Sequence, residues 1–173
     1  MTDDAVIIGR FQPLHRGHDE GLIDYAQEAY DQVYLGVGVS GDEPTGHDPL
    51  YGDEREELLD EVYPDVEVFQ VEDQGDNEAW VREVEDRVAD YVEDGFVPVT
   101  GNEWTAECFE EFPETDYTVD LLEEEDMLDR DTYRGTRIRE KIRDGEDWEH
   151  LVPEKVREQL DELGFAARVR RYG

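Results

Sequence analysis

The sequence predicts an α/β protein: a Rossmann-like parallel sheet of about five strands with helices on both faces. Three observations carry this. Short β-branched runs alternate with stretches of helical periodicity along the whole chain, as a parallel sheet with crossover helices requires. The runs are almost continuously apolar, the pattern of strands covered on both faces. A chain of 173 residues suffices for one domain with a real core and is short for two, and neither repeat nor linker interrupts it. Residues 1–173 are therefore expected to form one domain, closed by C-terminal helices from about 136.

Ala5-Val6-Ile7-Ile8 reads as a first, buried strand, and Leu22, Ile23, Ala26 and Ala29-Tyr30 recur at helical spacing, placing a helix from near Arg16. Val33 to Val39 is the second strand, followed by a loop of turn formers from Ser40 to Pro49. Asp53 to Val62 forms an acidic helix with Leu58, Leu59 and Val62 inward, and Val66 to Val71 alternates as a third strand. From a cap at Asp76 or Asn77, the stripe Ala79, Trp80, Val84, Val88 and Tyr91-Val92 predicts the next helix. Phe96 to Thr100 is the fourth strand, Thr105 to Phe112 a short helix and Tyr117 to Leu121 a fifth strand. Helices over Thr136–Arg143 and Pro153–Leu163 close the chain.

The chemistry concentrates between the first strand and its helix, in Gly9-Arg10-Phe11-Gln12-Pro13-Leu14-His15-Arg16-Gly17-His18. A strand-to-helix turn at the carboxyl end of a parallel strand is where open sheets bind ligands, and a helix N-terminus offers free N–H groups to an anion. His15 and His18, three apart, can direct N–H donors at one bound group, and Arg10 adds a charged fork from the strand end. Gly17 removes a side chain where a phosphate must approach closely. The stretch reads as a triphosphate cradle. A metal-only role for the histidines finds little support, since only His47 and His150 remain and Cys108 is distant.

A second cluster lies near the C-terminus. Arg130, Arg134, Arg137, Arg139, Lys141 and Arg143 place six of the sixteen basic residues in fourteen positions, which calls for an anionic partner. Pairing with Glu140, Asp144, Glu146 and Asp147 on a solvated helix face is the plainer alternative, but such pairs contribute only about 0–1 kcal/mol each. Gly135-Thr136, a hydroxyl and free N–H groups at a helix start, favours a second phosphate-binding turn.

Composition sets the remaining bounds. Asp and Glu number 50 against 16 Lys and Arg, a formal charge of −34 spread over the whole length, so nucleic acid is an unsuitable partner. With 37% hydrophobic residues the chain is still foldable, and only two lysines occur, Lys141 and Lys155. That combination points to a protein working in concentrated salt, where a screening length of roughly 3 Å at 1 M silences most self-repulsion. One cysteine permits no internal disulfide, no apolar run reaches the length of a membrane span, and Met1-Thr2-Asp3-Asp4 has no leader character. A cytoplasmic location is expected.

The decapeptide from Gly9 to His18 resembles the His-x-Gly-His signature of the nucleotidylyltransferase superfamily. In its full form it is most similar to the archaeal type of nicotinamide-mononucleotide adenylyltransferase. Tyr133, Gly135-Thr136, Ile138 and Arg139 resemble that family's second motif, with Arg134 where the family has serine. The resemblance implies transfer of AMP from ATP to nicotinamide mononucleotide (NMN), giving NAD and pyrophosphate, with Mg²⁺ accompanying ATP and no protein-bound metal. It assigns His15, His18, Arg10 and Arg139 to catalysis, His18 at the α-phosphate. Gly9, Phe11, Gln12, Gly17, Gly101, Asn102, Tyr133, Gly135 and Thr136 are assigned to ATP. Asp73, Asn77 and Trp80 fall at family-like spacing for the acceptor, Trp80 stacking on the nicotinamide ring. A tryptophan face suits a flat cationic ring, although Trp80 also lies on the apolar stripe and reads equally well as core. Glu54-Arg55 matches the pair opening the family's second helix.

The loop after Gly38 keeps only Thr45 and Pro49 of the family's run, and Gln74-Gly75-Asp76 also departs. Both departures are expected near the acceptor. Alternatives are therefore a related enzyme using another small phosphorylated acceptor or CTP, and a catalytically silent nucleotide sensor. The resemblance further implies a homo-oligomer, while the acidic charge and the lack of a span-length apolar run leave neither nucleic acid nor membrane as an expected partner.

Overall fold

Strand β1 (Asp4–Gly9) occupies the centre of a five-stranded sheet, with β2 (Gln32–Val39) and β3 (Glu67–Glu72) on one side and β4 (Val97–Thr100) and β5 (Asp120–Leu121) on the other. The order is β3-β2-β1-β4-β5, and every pairing among the described residues is parallel. The computed structural model describes residues 3–172; Met1 and Thr2, the start of the segment expected to have no leader character, and Gly173 lie outside the described residues.

The period-2 pleat explains why both faces need cover. Ala5 and Ile7 of β1, Leu35 and Val37 of β2, Val68 of β3 and Val99 of β4 belong to one buried cluster. It is completed by Leu58 and Leu59 of α2 (Gly52–Val62), Ile138 and Ile142 of α5 (Gly135–Arg143), Val156 and Leu160 of α6 (Glu154–Glu162) and Phe165 and Val169 of α7 (Phe165–Tyr172). Val6, Tyr34, Phe69 and Val71 point the other way, against Val81, Val84 and Val88 of α3 (Asn77–Val88) and Phe109 of α4 (Glu103–Glu110). Burying each such side chain is worth about 1.5–3 kcal/mol, enough to fix the strand register against a one-residue slip. The expected doubly covered sheet is what forms.

Boundaries shift for identifiable reasons. The first helix begins as a π-helical segment, Gly17–Ile23, and becomes α1 only over Asp24–Ala29. Helix α3 is capped by Asp76, whose side chain accepts from the Ala79 amide, and stops at Val88; Val92 of the predicted stripe is still buried, through a turn in which its amide donates to the Val88 carbonyl. The fifth strand shrinks to Asp120–Leu121 because Tyr117 instead packs in an aromatic group, 5.1 Å from Phe109 and 5.3 Å from Phe96. Helix α7 was not expected from sequence. Gly164, at φ +65°, ends α6 in a left-handed turn, and Phe165 and Val169, four apart, enter the core.

Candidate active site

The order β3-β2-β1-β4-β5 places the topological switch between β1 and β4, and the crevice above that point is the expected ligand site of such a sheet. A cavity of about 530 Å³ opens there, walled by Gly9, Gly38, Val71 and Thr100 at the carboxyl ends of four strands. A second, of about 540 Å³, runs toward Thr136 and Arg139, and both are lined by Arg10, His15, His18, Ser40 and Gly135. The two sequence motifs therefore meet at one place.

After Gly9 the chain turns through Phe11, which holds φ at 52°. That region is unfavourable for a non-glycine residue, and it persists because its surroundings determine it. Phe11 folds its buried ring under Gly9, where an added Cβ would come within 3.2 Å of the ring. The Gln12 amide is engaged at both ends by Leu50, donating to its carbonyl at 2.9 Å and accepting from its N–H at 3.0 Å. Arg55 donates to the carbonyls of Arg10 and Gly38 at 2.8 and 2.7 Å. Burial pulls its pKa down to about 10, so it is still a cation near neutral pH. Phe11, Gln12 and Arg55 thus hold the loop from inside.

The histidines are held as a pair. Their rings stack with centroids 3.7 Å apart, 23° from parallel. The His15 carbonyl accepts from the amides of His18 and Asp19 at 3.1 Å each, closing the turn that starts the π-helical segment. The His15 amide donates to His18 Nδ1 at 3.3 Å, so the His18 proton resides on Nε2. Burial lowers the His18 pKa to about 4; burial first, and then the neighbouring His18, hold His15 well below its usual value. Near neutral pH both rings are uncharged donors. His15 Nδ1 is buried without a partner.

Gly17 is needed by its protein neighbours. A Cβ there would lie 2.8 Å from the His15 ring and 3.0 Å from the Tyr133 carbonyl oxygen. The glycine makes room for the His15 ring and for the second motif, and it also lines the main cavity.

Positive charge comes from Arg10, which is 56% exposed and held by Ser40 at 2.9 Å and Asp48 at 3.2 Å. Arg139 is buried, and its guanidinium donates to the Gln12 carbonyl at 2.7 Å, stitching the motifs together. Desolvation lowers its pKa, and its Nε has no partner. Gly135 allows this approach, because a Cβ would lie 2.8 Å from the Arg139 guanidinium. No side chain caps α5 at Arg134, which leaves the first N–H groups of the helix for an anion beside Thr136.

Elsewhere in the cavity lining, Gly101 leaves room for Met127, whose thioether an added Cβ would displace. Asn102 uses its side-chain oxygen to cap α4, accepting from Trp104 and Thr105. Tyr133 lines the cavity. Of the three acceptor candidates, Asp73 and Trp80 line it, whereas Asn77 stands exposed on the first turn of α3, outside the lining. Trp80 is both core and wall: 9% exposed, with Phe109 edge-on at 5.6 Å and Trp104 at 5.7 Å. Of the loop from Ser40 to Pro49, Ser40 lines both cavities, and His47 and Asp48 line the one shared with Thr136 and Arg139.

Sequence reasoning missed Ser40, Asp48 and Trp104 in the lining, and the holding role of Arg55. The arginine was legible as part of Glu54-Arg55 and Trp104 by its nearness to Gly101-Asn102; Asp48 had no local signal, since its pairing with Arg10 spans 38 residues.

Geometry and comparison together define an α/β nucleotidylyltransferase. A solved bifunctional NMN adenylyltransferase/ADP ribose pyrophosphatase from Francisella tularensis, complexed with AMP and a manganese ion, superposes with a TM-score of 0.70 at 17% identity, over 99% of this chain. The chain spans about half of that longer one, 52%. No family model matches. A nicotinamide-nucleotide adenylyltransferase of Methanococcus maripaludis (strain C5) is 32% identical over 171 residues, 96% of this chain and 94% of its own. That of Haloarcula marismortui is 31% identical over 160 residues, 90% and 79% of the two chains. The chain belongs to the nicotinamide-nucleotide adenylyltransferase family.

Proposed function

We propose that this protein transfers the adenylyl group of ATP to NMN, giving NAD and pyrophosphate. The observation that carries the reading is the stacked, uncharged His15–His18 pair, set between a nucleoside-sized cavity and the uncapped N-terminus of α5. The acceptor's phosphate oxygen attacks the α-phosphorus of ATP in line. The new P–O bond forms as the bond to the bridging α,β-oxygen breaks, and that oxygen leaves on pyrophosphate with its electron pair. A phosphomonoester is already ionised near neutral pH, so no general base and no protein nucleophile are needed. Catalysis is positioning plus charge stabilisation.

In this reading His18 donates from Nε2 to the α-phosphate as its charge develops. Arg10, His15, Thr136 and the α5 N–H groups take the leaving phosphates, while Arg139 fixes the loop that presents them. Among the described residues no group of three or more His, Cys, Asp or Glu side chains is arranged to hold a metal. In this reading Mg²⁺ enters with the ATP substrate, neutralising its phosphates. Gly9, Gly17, Gly101 and Gly135 serve by admitting neighbouring groups, and Phe11, Gln12 and Asn102 by fixing loops and a helix cap, around the ATP.

The same reading makes the protein one nucleotidylyltransferase domain over residues 1–173, cytoplasmic, homo-oligomeric, and without nucleic acid as partner. No helix among the described residues is long and apolar enough to cross a membrane. The test is purified protein with ATP or CTP against NMN and a panel of other phosphorylated acceptors, in molar KCl, following pyrophosphate and NAD. NAD formed only from ATP and NMN supports the reading. Pyrophosphate released with another acceptor alone would replace the substrate, and release with none would leave a nucleotide sensor.

A further inference from the structure

Two unlike sets of side chains line the main cavity. From the segment after β5 come Met127 and Leu128, aliphatic and sulfur surface suited to a neutral purine; Trp80, Trp104 and Asp73 add two indoles and a carboxylate. Electron-rich indole faces near a carboxylate suit a flat cation. Trp80 alone is poorly placed to supply that face, being 9% exposed and packed against Phe109. Trp104 is 52% exposed, the most exposed large hydrophobic among the described residues, and it lines the cavity.

On the premise that the acceptor is NMN, we propose that Trp104 is a specificity-determining residue, the movable half of an aromatic clamp that closes on the pyridinium ring of the acceptor against Trp80. The backbone of Trp104 is fixed: it sits in the first turn of α4, its amide donating to the Asn102 side chain at 2.9 Å. Its indole N–H has no acceptor among the described residues, which leaves the ring free to turn. The two indoles are 5.7 Å apart and tilted by 46°. A ring held between them needs two van der Waals layers, about 7–8 Å. Trp104 must therefore swing outward to admit the ring and then return over it, while Trp80, anchored in the core, stays in place.

The test compares wild type with Trp104→Ala and Trp104→Phe. In steady-state assays, Trp104→Ala raises KM for NMN at least fivefold, leaving KM for ATP and kcat within twofold, and Trp104→Phe recovers most of the loss. An NMN titration followed by tryptophan fluorescence needs no turnover: quenching seen in wild type is smaller at saturation in Trp104→Phe by the share of the Trp104 indole, the remainder coming from Trp80, with Trp148 outside the cavity lining. Unchanged KM for NMN with unchanged quenching overturns the proposal. So does a rise in KM for ATP alone, which would assign the indole to the purine, or equal rises for both substrates with a lowered Tm, which would make it structural. Failure of wild type to form NAD would instead overturn the adenylyl-transfer reading, and the fluorescence titration still decides on Trp104.

Discussion

His18 is poised by its neighbours as a neutral donor. Its Nδ1 is occupied by the His15 amide, so the Nε2–H is the donor left for a ligand, and burial keeps the ring uncharged. A donor aimed at charge that develops in the transition state contributes to kcat rather than to ground-state binding. His18→Ala is therefore expected to lower kcat by about 10²–10³, as loss of one such donor does elsewhere. ATP binding should stay within about tenfold, roughly 1.4 kcal/mol; calorimetry on the variant checks this, and loss of ATP binding with kcat intact would refute the assignment. The tautomer can be read directly. NMR titration of the free protein should show His18 protonating near pH 4 from the Nε2–H form. Since that folded pKa lies below the usual 6.5, the unfolded chain takes up the proton first as pH falls. This group's contribution to stability is complete above about pH 6.5 and is lost between 6.5 and 4, so Tm should fall across that window. A His18 titration at its ordinary value would remove the neutral-donor argument.

At the scale of elements, the site is made where two helix starts meet. The π-helical segment from Gly17 and the N-terminus of α5 touch through Gly17 against the Tyr133 carbonyl, and through the Arg139 guanidinium on the Gln12 carbonyl. One methyl group tests that junction. Gly17→Ala places carbon at 2.8 Å from the His15 ring, so the imidazole must turn out of its stack on His18. We expect kcat to fall at least tenfold, about 1.4 kcal/mol in the barrier, while the far-ultraviolet spectrum and the cooperative unfolding transition persist. Near-normal kcat would show that the stack is dispensable. Trp80→Ala belongs to this scale too, because the residue joins α3 to α4 while walling the cavity. It should lower stability on the order of 3–5 kcal/mol and also raise KM for NMN more than KM for ATP. A destabilised variant with parallel losses for both substrates would return Trp80 to the core alone.

Over the whole molecule, charge outweighs every other surface property. Fifty acidic residues against sixteen basic ones leave −34 on one chain, and where both partners of an ion pair are exposed, as in Arg82–Glu78, Arg82–Glu114 and Arg137–Glu140, the pair is worth about 0–1 kcal/mol. Self-repulsion is long-ranged when the screening length is about 30 Å at 0.01 M salt and nearly silent when it is about 3 Å at 1 M. Thermal unfolding should therefore shift to higher temperature from millimolar to molar KCl. Equal midpoints would make this an ordinary acidic protein.

The sequence by itself determined what depends on near neighbours along the chain. Strand identity, helix periodicity and the cap at Asp76 are local, and so is the decapeptide from Gly9 to His18, whose turn is closed within five residues by the His15 carbonyl. The meeting of that motif with Tyr133 and Arg139 was legible only through family resemblance, for no local signal spans the 127 residues between Gln12 and Arg139. Tertiary structure alone decided the rest. It gave Arg10 its partner in Asp48, set His47 and Asp48 beside Thr136 and Arg139, and left Asn77 outside the main cavity while bringing Trp104 in. It also turned Gly17 into a seat for His15 and added α7 to the core. Each of these rests on which surfaces the sheet order brings face to face. That order comes from burying both faces of five strands at once, a condition no single stretch of sequence contains.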